Sequence, residues 1–205
     1  HGTLADEKAT NQLATYGKML ALTRQMIYND DLGAFLKVPD AMGARAARLI
    51  DHLFFTRLLA NPGSPPLFSS AHKNTQSGAD TALDADALGD ALQLFLDQTD
   101  IDGQPINVAP KFLLVPTSLK FAAKQLLNSS YFTATGDTDA KNIATANPYA
   151  GEDLVVVSSP YLNNANYTGY SSVGWYLFGD PAVVDTFEIG YLRGRRTPTV
   201  EKADT

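Results

Sequence analysis

Phe112-Leu113-Leu114-Val115-Pro116-Thr117-Ser118-Leu119-Lys120-Phe121-Ala122-Ala123-Lys124-Gln125-Leu126-Leu127 changes its period in the middle. Phe112 to Val115 is an unbroken apolar run, the pattern of a strand covered on both faces. Pro116 ends the run, because it has no N–H to give to a ladder. Thr117 is placed to cap a helix in which Leu119, Ala122, Ala123, Leu126 and Leu127 face inward and Lys120 and Lys124 face water. A buried strand thus runs straight into an amphipathic helix.

Upstream, Asp100 to Gly103 reads as a turn. Before it, Asp84 caps a helix reaching about Gln98, with Leu88, Ala91, Leu92, Phe95 and Leu96 as its apolar face. Its wet face carries Asp86, Asp90, Gln93 and Asp97. Residues 61–83 are turn-rich with few apolar anchors, and predict a loop that moves more than the helices beside it. Ala41 to Ala60 predicts a long helix ended by Asn61-Pro62-Gly63, with Met42, Ala46, Leu49, Ile50, Leu53 and Phe54 on one face and Arg45, Arg48 and His52 on another. Thr23 to Phe35 is helical in pattern, Pro39 interrupts or restarts the helix, and Tyr16 to Leu22 reads as a short strand. Downstream, residues 128–150 read as a loop. Leu154 to Val157 predicts a buried strand and Trp175 to Phe178 another. Asp185 to Leu192 predicts a half-buried strand with Phe187, Ile189 and Tyr191 on one side. Helices and strands mix without a regular rhythm or a fixed repeat, so the class is α+β.

A chain of 205 residues is long enough to bury about 70% of its unfolded surface without staples. It has no cysteine, which excludes thiolate catalysis, cysteine-bound zinc, iron–sulfur clusters and disulfides, and which fits a reducing cytosol. No apolar run of about 18 residues is present, so no membrane partner is expected. The net charge of -6 argues against a direct nucleic-acid reader. The one dense basic run, Arg193-Gly194-Arg195-Arg196, reads as a solvated or subunit-contacting loop.

Catalytic chemistry needs residue types in a usable arrangement. Gly169-Tyr170-Ser171-Ser172-Val173-Gly174 misses the serine-hydrolase elbow by one residue. His72, in Ser69-Ser70-Ala71-His72, is the one candidate base near a serine. Asp100, Asp102 and Gly103 half match a calcium loop, but Ala109 stands where the bidentate glutamate belongs. His1, His52 and His72 lack metal-ligand spacing. No phosphate loop or dinucleotide fingerprint occurs. No catalytic, cofactor-binding or metal-ligating set is expected, and no cofactor.

Four stretches stand in a telling order: Thr15-Tyr16-Gly17-Lys18 with Leu22-Thr23-Arg24-Gln25-Met26-Ile27-Tyr28-Asn29-Asp30-Asp31-Leu32-Gly33-Ala34-Phe35; Pro66-Leu67-Phe68 with Ala71-His72-Lys73-Asn74; Asp102-Gly103 with Pro110-Lys111-Phe112-Leu113-Leu114-Val115-Pro116; and Trp175-Tyr176-Leu177-Phe178-Gly179-Asp180-Pro181. Together they resemble the Mu-like major head subunit family of tailed phages and prophages. The resemblance covers about residue 15 to residue 201. It implies a Hong Kong 97-type capsid fold: an arm over 1–15, a peripheral domain with a kinked spine helix over 16–105, an axial domain over 106–184, and a return strand to the peripheral domain over 185–205. It implies a non-enzymatic subunit that self-assembles into pentamers and hexamers around double-stranded DNA, without sequence-specific binding. A scaffold or maturation protease is an implied partner. The virion capsid, and the host bacterial cytoplasm before assembly, are the implied locations. The family's longer N-terminal arm, extended loop and final segment are expected to lie outside this stretch.

Two other functions fit parts of the sequence. One is a small hydrolase using His72 and a nearby serine. The other is a ligand-binding module using the tyrosine-rich loop 161–176, where Tyr161, Tyr167 and Tyr170 among Asn163, Asn164 and Asn166 read as exposed edge aromatics.

Overall fold

A computed structural model describes residues 12–19, 21, 23–29, 37–100, 102–133, 144–184 and 186–199. The chain divides into two compact units, Asp51–Thr186 and His1–Ile50 with Phe187–Thr205.

The larger unit is built on the strand that the sequence singles out. Pro110–Pro116 (β1) lies between Val155–Ser159 (β4) and Tyr176–Gly179 (β5) in a sheet of order β4-β1-β5. β4 runs parallel to β1, pairing Leu113 with Val156, and β5 runs antiparallel, pairing Leu113 with Leu177. Leu113, Leu114, Val115 and Pro116 are buried, as a central strand requires. Pro116 belongs to the strand rather than lying beyond it. It holds the last rung, opposite Ser159, where its missing N–H interrupts no further pair. The expectation of a fully buried strand at 154–157 is corrected: Val155 is 49% and Val157 40% exposed, whereas Ser159 is buried. β4 is an edge strand with one covered face.

Two helices close the core. Ala85–Leu96 (α4) begins as expected, with the Asp84 carboxylate accepting the Ala87 N–H at 2.8 Å. Leu88 is buried as predicted, Ala87 beside it also is, and Leu96 is exposed. Lys120–Asn128 (α5) buries Ala123 and Leu127, one helical turn apart. Leu88, Leu113, Val115, Ala123 and Leu127 form one cluster, against which Leu92, Tyr149, Val156 and Trp175 pack. Thr117 does not cap α5. A 3-10 turn over Thr117–Leu119 precedes the helix, and the Thr117 hydroxyl bonds Asn163 instead. Ala122, expected to face inward, is exposed, at the margin of the face that Leu119, Ala123, Leu126 and Leu127 turn to the core.

The stretch 128–150, read as a loop, contains Tyr131–Thr133 (β2) paired antiparallel with Ala144–Ala146 (β3). Asn147 is buried just after β3. Its Nδ2 donates to the Leu126 and Ser129 carbonyls, both at 2.7 Å, and so satisfies the C-terminal end of α5.

The long helix of 41–60 is two helices, Lys37–Ala47 (α2) and Leu49–Ala60 (α3), separated by a turn at Arg48. Pro39 sits in the first turn of α2, where its missing N–H has no partner to lose. The deepest residues of α3 are Phe55, Leu58 and Leu59, whereas Leu53 and Phe54 are half-buried. α3 is apolar almost all round, so periodicity alone does not choose its inner face.

In the smaller unit, Arg24–Tyr28 (α1) falls in the predicted helix, and residues 30–36 lie outside the described residues. Two expected strands are not formed among the described residues. Residues 16–19 and 21 are irregular and exposed. Residues 186–191 make no ladder, although Tyr191 has extended dihedrals (φ -119°, ψ 134°). Alternation says which side of a strand faces inward, but it supplies no neighbour to pair with.

Two outcomes are expected from this packing. Leu113→Ala should destabilise the chain by about 2–5 kcal/mol, and Leu53→Ala by less, in urea unfolding. Beside the sheet, Lys111 and Asp180 form an ion pair, and the Asp180 carboxyl is held below its ordinary 3.8, first by the hydrogen bond from Lys111 and then by the Ala182 N–H. A lowered folded-state pKa stabilises above pH 3.8 and stops doing so as pH falls through the lowered value. Asp180→Asn should therefore lower the Tm at neutral pH, with the difference closing in acid.

Candidate functional site

Among the described residues, His72, Ser171 and Asp100, the candidates for chemistry, are each tied into local structure. His72 Nδ1 lies 3.1 Å from the Leu67 carbonyl and 3.3 Å from Ser69 Oγ. A carbonyl only accepts, so this network assigns the proton to Nδ1. A nitrogen that already carries a proton cannot take one from Ser69. The His72 backbone N–H also donates to Ser69 Oγ at 3.4 Å. Asn74 completes the turn: its Nδ2 donates to the Leu67 carbonyl at 2.8 Å and its Oδ1 accepts the Ser69 N–H at 3.0 Å. Asn61 clamps both backbone groups of Phe68, at 3.0 and 2.7 Å. The arrangement closes a loop rather than activating a serine.

The other candidates behave alike. Ser171 Oγ accepts the N–H groups of Val173 and Gly174 at 3.2 and 2.8 Å, forming a turn. Asp100 Oδ1 accepts the N–H groups of Asp102 and Gln104, at 2.9 and 2.8 Å, and Gly103 takes a positive φ of 77°. That carboxylate organises its own turn. Among the described residues no group of three His, Asp or Glu side chains could hold a metal.

The tyrosine-rich loop is also largely used internally. Tyr161 stacks on Phe55 with ring centres 4.8 Å apart, and Tyr167 meets Tyr161 edge-on at 5.5 Å. The Tyr167 hydroxyl and His52 Nδ1 share a 2.6 Å hydrogen bond. Desolvation, then the neighbouring Tyr161, pushes the Tyr167 hydroxyl above its ordinary pKa. The expectation of three exposed tyrosines is corrected: Tyr161 and Tyr167 are half-buried and only Tyr170 is exposed. The loop closes at its base, where the Ser171 N–H donates to the carbonyl of the buried Leu162 at 2.8 Å. Gly169 passes so close to α3 that a Cβ there would lie 2.3 Å from the Leu59 carbonyl oxygen, at a φ of +82° that side chains avoid.

What remains is surface. Phe121 on α5 is 78% exposed, and Val155 and Val157 share the open face of β4. A groove of about 880 Å³ in the larger unit is lined by apolar side chains that include Leu58, Phe68, Phe95, Trp175 and Phe178. The exposed apolar side chains stand beside polar groups that are committed within the molecule.

The family model of phage capsid proteins matches residues 6–205. No curated protein and no solved structure is similar enough to this chain to count as a match.

Gly169→Ala should force the tyrosine loop off α3, because a backbone oxygen cannot yield as a flexible side chain can. The expected loss is about 1–3 kcal/mol of stability in urea unfolding, the usual scale of a strained backbone position. An unchanged midpoint would show that the loop does not need this approach.

Proposed function

The chain belongs to the phage capsid protein family, and from that membership we propose that it is a Mu-like major head subunit of the Hong Kong 97-type fold. Membership makes it a structural protein of a virion capsid. The finer reading is that copies join into pentamers and hexamers that enclose double-stranded DNA. In that reading 16–105 contributes the peripheral domain, 106–184 the axial domain and 185–205 the return to the peripheral domain. Assembly would take place in the host bacterial cytoplasm, with a scaffold or maturation protease as transient partners.

The observation that carries the proposal is the family match across nearly the whole chain. The order of the sequence motifs supports the Mu-like assignment. The mixture of helices with a three-stranded sheet agrees with a capsid subunit. The internal use of His72, Ser171 and Asp100 gives no support to a hydrolase. The inward packing of Tyr161 and Tyr167 gives none to a ligand-binding loop.

A shell subunit works through repeated weak contacts. Head-to-tail contacts between identical copies close into rings when the rotation per copy divides a full turn. Joining several contacts through one chain raises their effective concentration. Electron microscopy and sedimentation velocity of the 205-residue chain across a concentration series test the reading. Mainly monomers and small oligomers are expected of this chain, with rings only at high concentration. A protein that stays monomeric throughout, and whose serines react with a fluorophosphonate probe, would overturn it.

A further inference from the structure

The charge of this chain is strongly segregated. The unit Asp51–Thr186 has six lysines and arginines against fourteen aspartates and glutamates, and the remainder has ten against eight. Within the acidic unit, residues 74–110 hold seven aspartates and no lysine or arginine. Three of them, Asp86, Asp90 and Asp97, lie at α4 and the residue that ends it, all exposed. Asp86 and Asp90 are four residues apart, so their charges stand one turn from each other and repel. Their field is felt nearby: burial pushes the Tyr149 hydroxyl up, and Asp86, Asp90 and Asp84 push it further.

The other unit carries the opposite feature. Arg193, Arg195 and Arg196 are exposed on one tight turn. Its shape comes from left-handed backbone at Arg193 (φ 52°) and Gly194 (φ 70°), and from the Gly194 N–H reaching the Tyr191 carbonyl at 3.2 Å. The Arg196 guanidinium rests 5.7 Å from the centre of the Tyr191 ring, which limits its freedom before any partner arrives. Among the described residues the one ion pair is Lys111 with Asp180, so neither the arginine turn nor the α4 carboxylates have a described counter-ion.

We propose that the arginine turn Arg193–Arg196 of one copy docks on the acidic face of α4, Asp86 with Asp90 and Asp97, of a second copy. The inference rests on the self-assembly reading and names its contact. Charge complementarity selects the partner. Guanidinium groups match carboxylates in geometry as well as sign. Two different patches meet, so the contact is head-to-tail and can propagate around a ring. DNA is the weaker partner for the same turn, because three arginines on a chain of net charge -6 are a small counterweight to the repulsion of phosphates by its aspartates.

Charge exchange tests the contact on the full chain. The variants are Arg195→Glu with Arg196→Glu, Asp86→Lys with Asp90→Lys, and all four together. Every substituted residue is exposed, and circular dichroism establishes that each variant folds. Sedimentation velocity at low and high salt reads the assembly midpoint. Each one-sided variant is expected to raise the midpoint concentration by at least about tenfold at low salt and to reverse its salt dependence, because like charges then face each other and salt screens their repulsion. The four-fold variant, or an equimolar mixture of the two one-sided variants, should recover assembly. If the parent chain assembles and the folded one-sided variants do so equally well, the contact is wrong while the capsid reading stands. Failure of the four-fold variant to recover would also overturn the pairing. Arginine variants that assemble normally but lose retardation of duplex DNA on a gel would assign the turn to nucleic acid instead. A parent chain that never oligomerises would overturn both readings.

Discussion

β1 can exist only if both of its edges are paired and both of its faces are covered. Its middle residues are buried, and a buried N–H or C=O left without a partner is costly. One edge is met by β5, antiparallel, and the other by β4, parallel. A parallel neighbour cannot be reached by a tight turn and requires a crossover. Residues 117–154 are that crossover. They contain α5, which places Ala123 and Leu127 on the face of β1 that carries Leu113 and Val115. The return path then needs an anchor. Asn147 provides it, donating to the two carbonyls at the end of α5 while its Oδ1 accepts the Tyr149 N–H at 2.8 Å. Tyr149 in turn reaches across to α4, where its hydroxyl donates to the Ala85 carbonyl at 2.6 Å. Pairing of one strand thus fixes the path of most of the larger unit.

The features legible in the sequence are those in which a local pattern and a tertiary demand coincide. The apolar run of β1, the Asp84 cap and the Asp100 turn each state their structure within a few residues. The features that are not legible depend on what lies alongside. Residues 186–191 alternate well and make no ladder, whereas the short β2 and β3 segments alternate poorly and pair. Leu154 to Val157 looks buried because valines are apolar, yet the outer face of β4 meets no covering layer among the described residues. The break at Arg48 has no proline or glycine to announce it. The charged patches are readable as composition, but Asp86 and Asp90 acquire meaning only beside the opposite charge of another segment. Tyr161 and Tyr167 look like contact residues in the sequence, and only the positions of Phe55 and His52 show that they are packed inward.

Polar side chains hold the loops in place. Asn61, Asn74, Asn147 and Asp100 each bond two or more backbone groups. Among the described residues no buried side-chain nitrogen or oxygen lacks a partner. Loops bonded in this way suit a subunit that presents the same surface in every copy. A ring closes only if each contact repeats with the same geometry, and a loop that wanders would spread the rotation from copy to copy.

The edge strands of a sheet are a hazard in a protein that meets its own copies at high concentration. Unpaired strand edges join indiscriminately, since backbone groups carry no sequence information. Here both edges are short, five residues in β4 and four in β5. Pro160 follows β4 directly, and Asp180-Pro181 follows β5. Proline has no donor to give, and the pairing of Asp180 with Lys111 puts charge at the end of that edge. Edge pairing is thereby discouraged, and contacts between copies fall to side chains, whose shape and charge can tell one surface from another. Side-chain contacts are individually weak, so a misplaced copy can leave again. In the proposed rings, closure would supply the cooperativity that no single contact has.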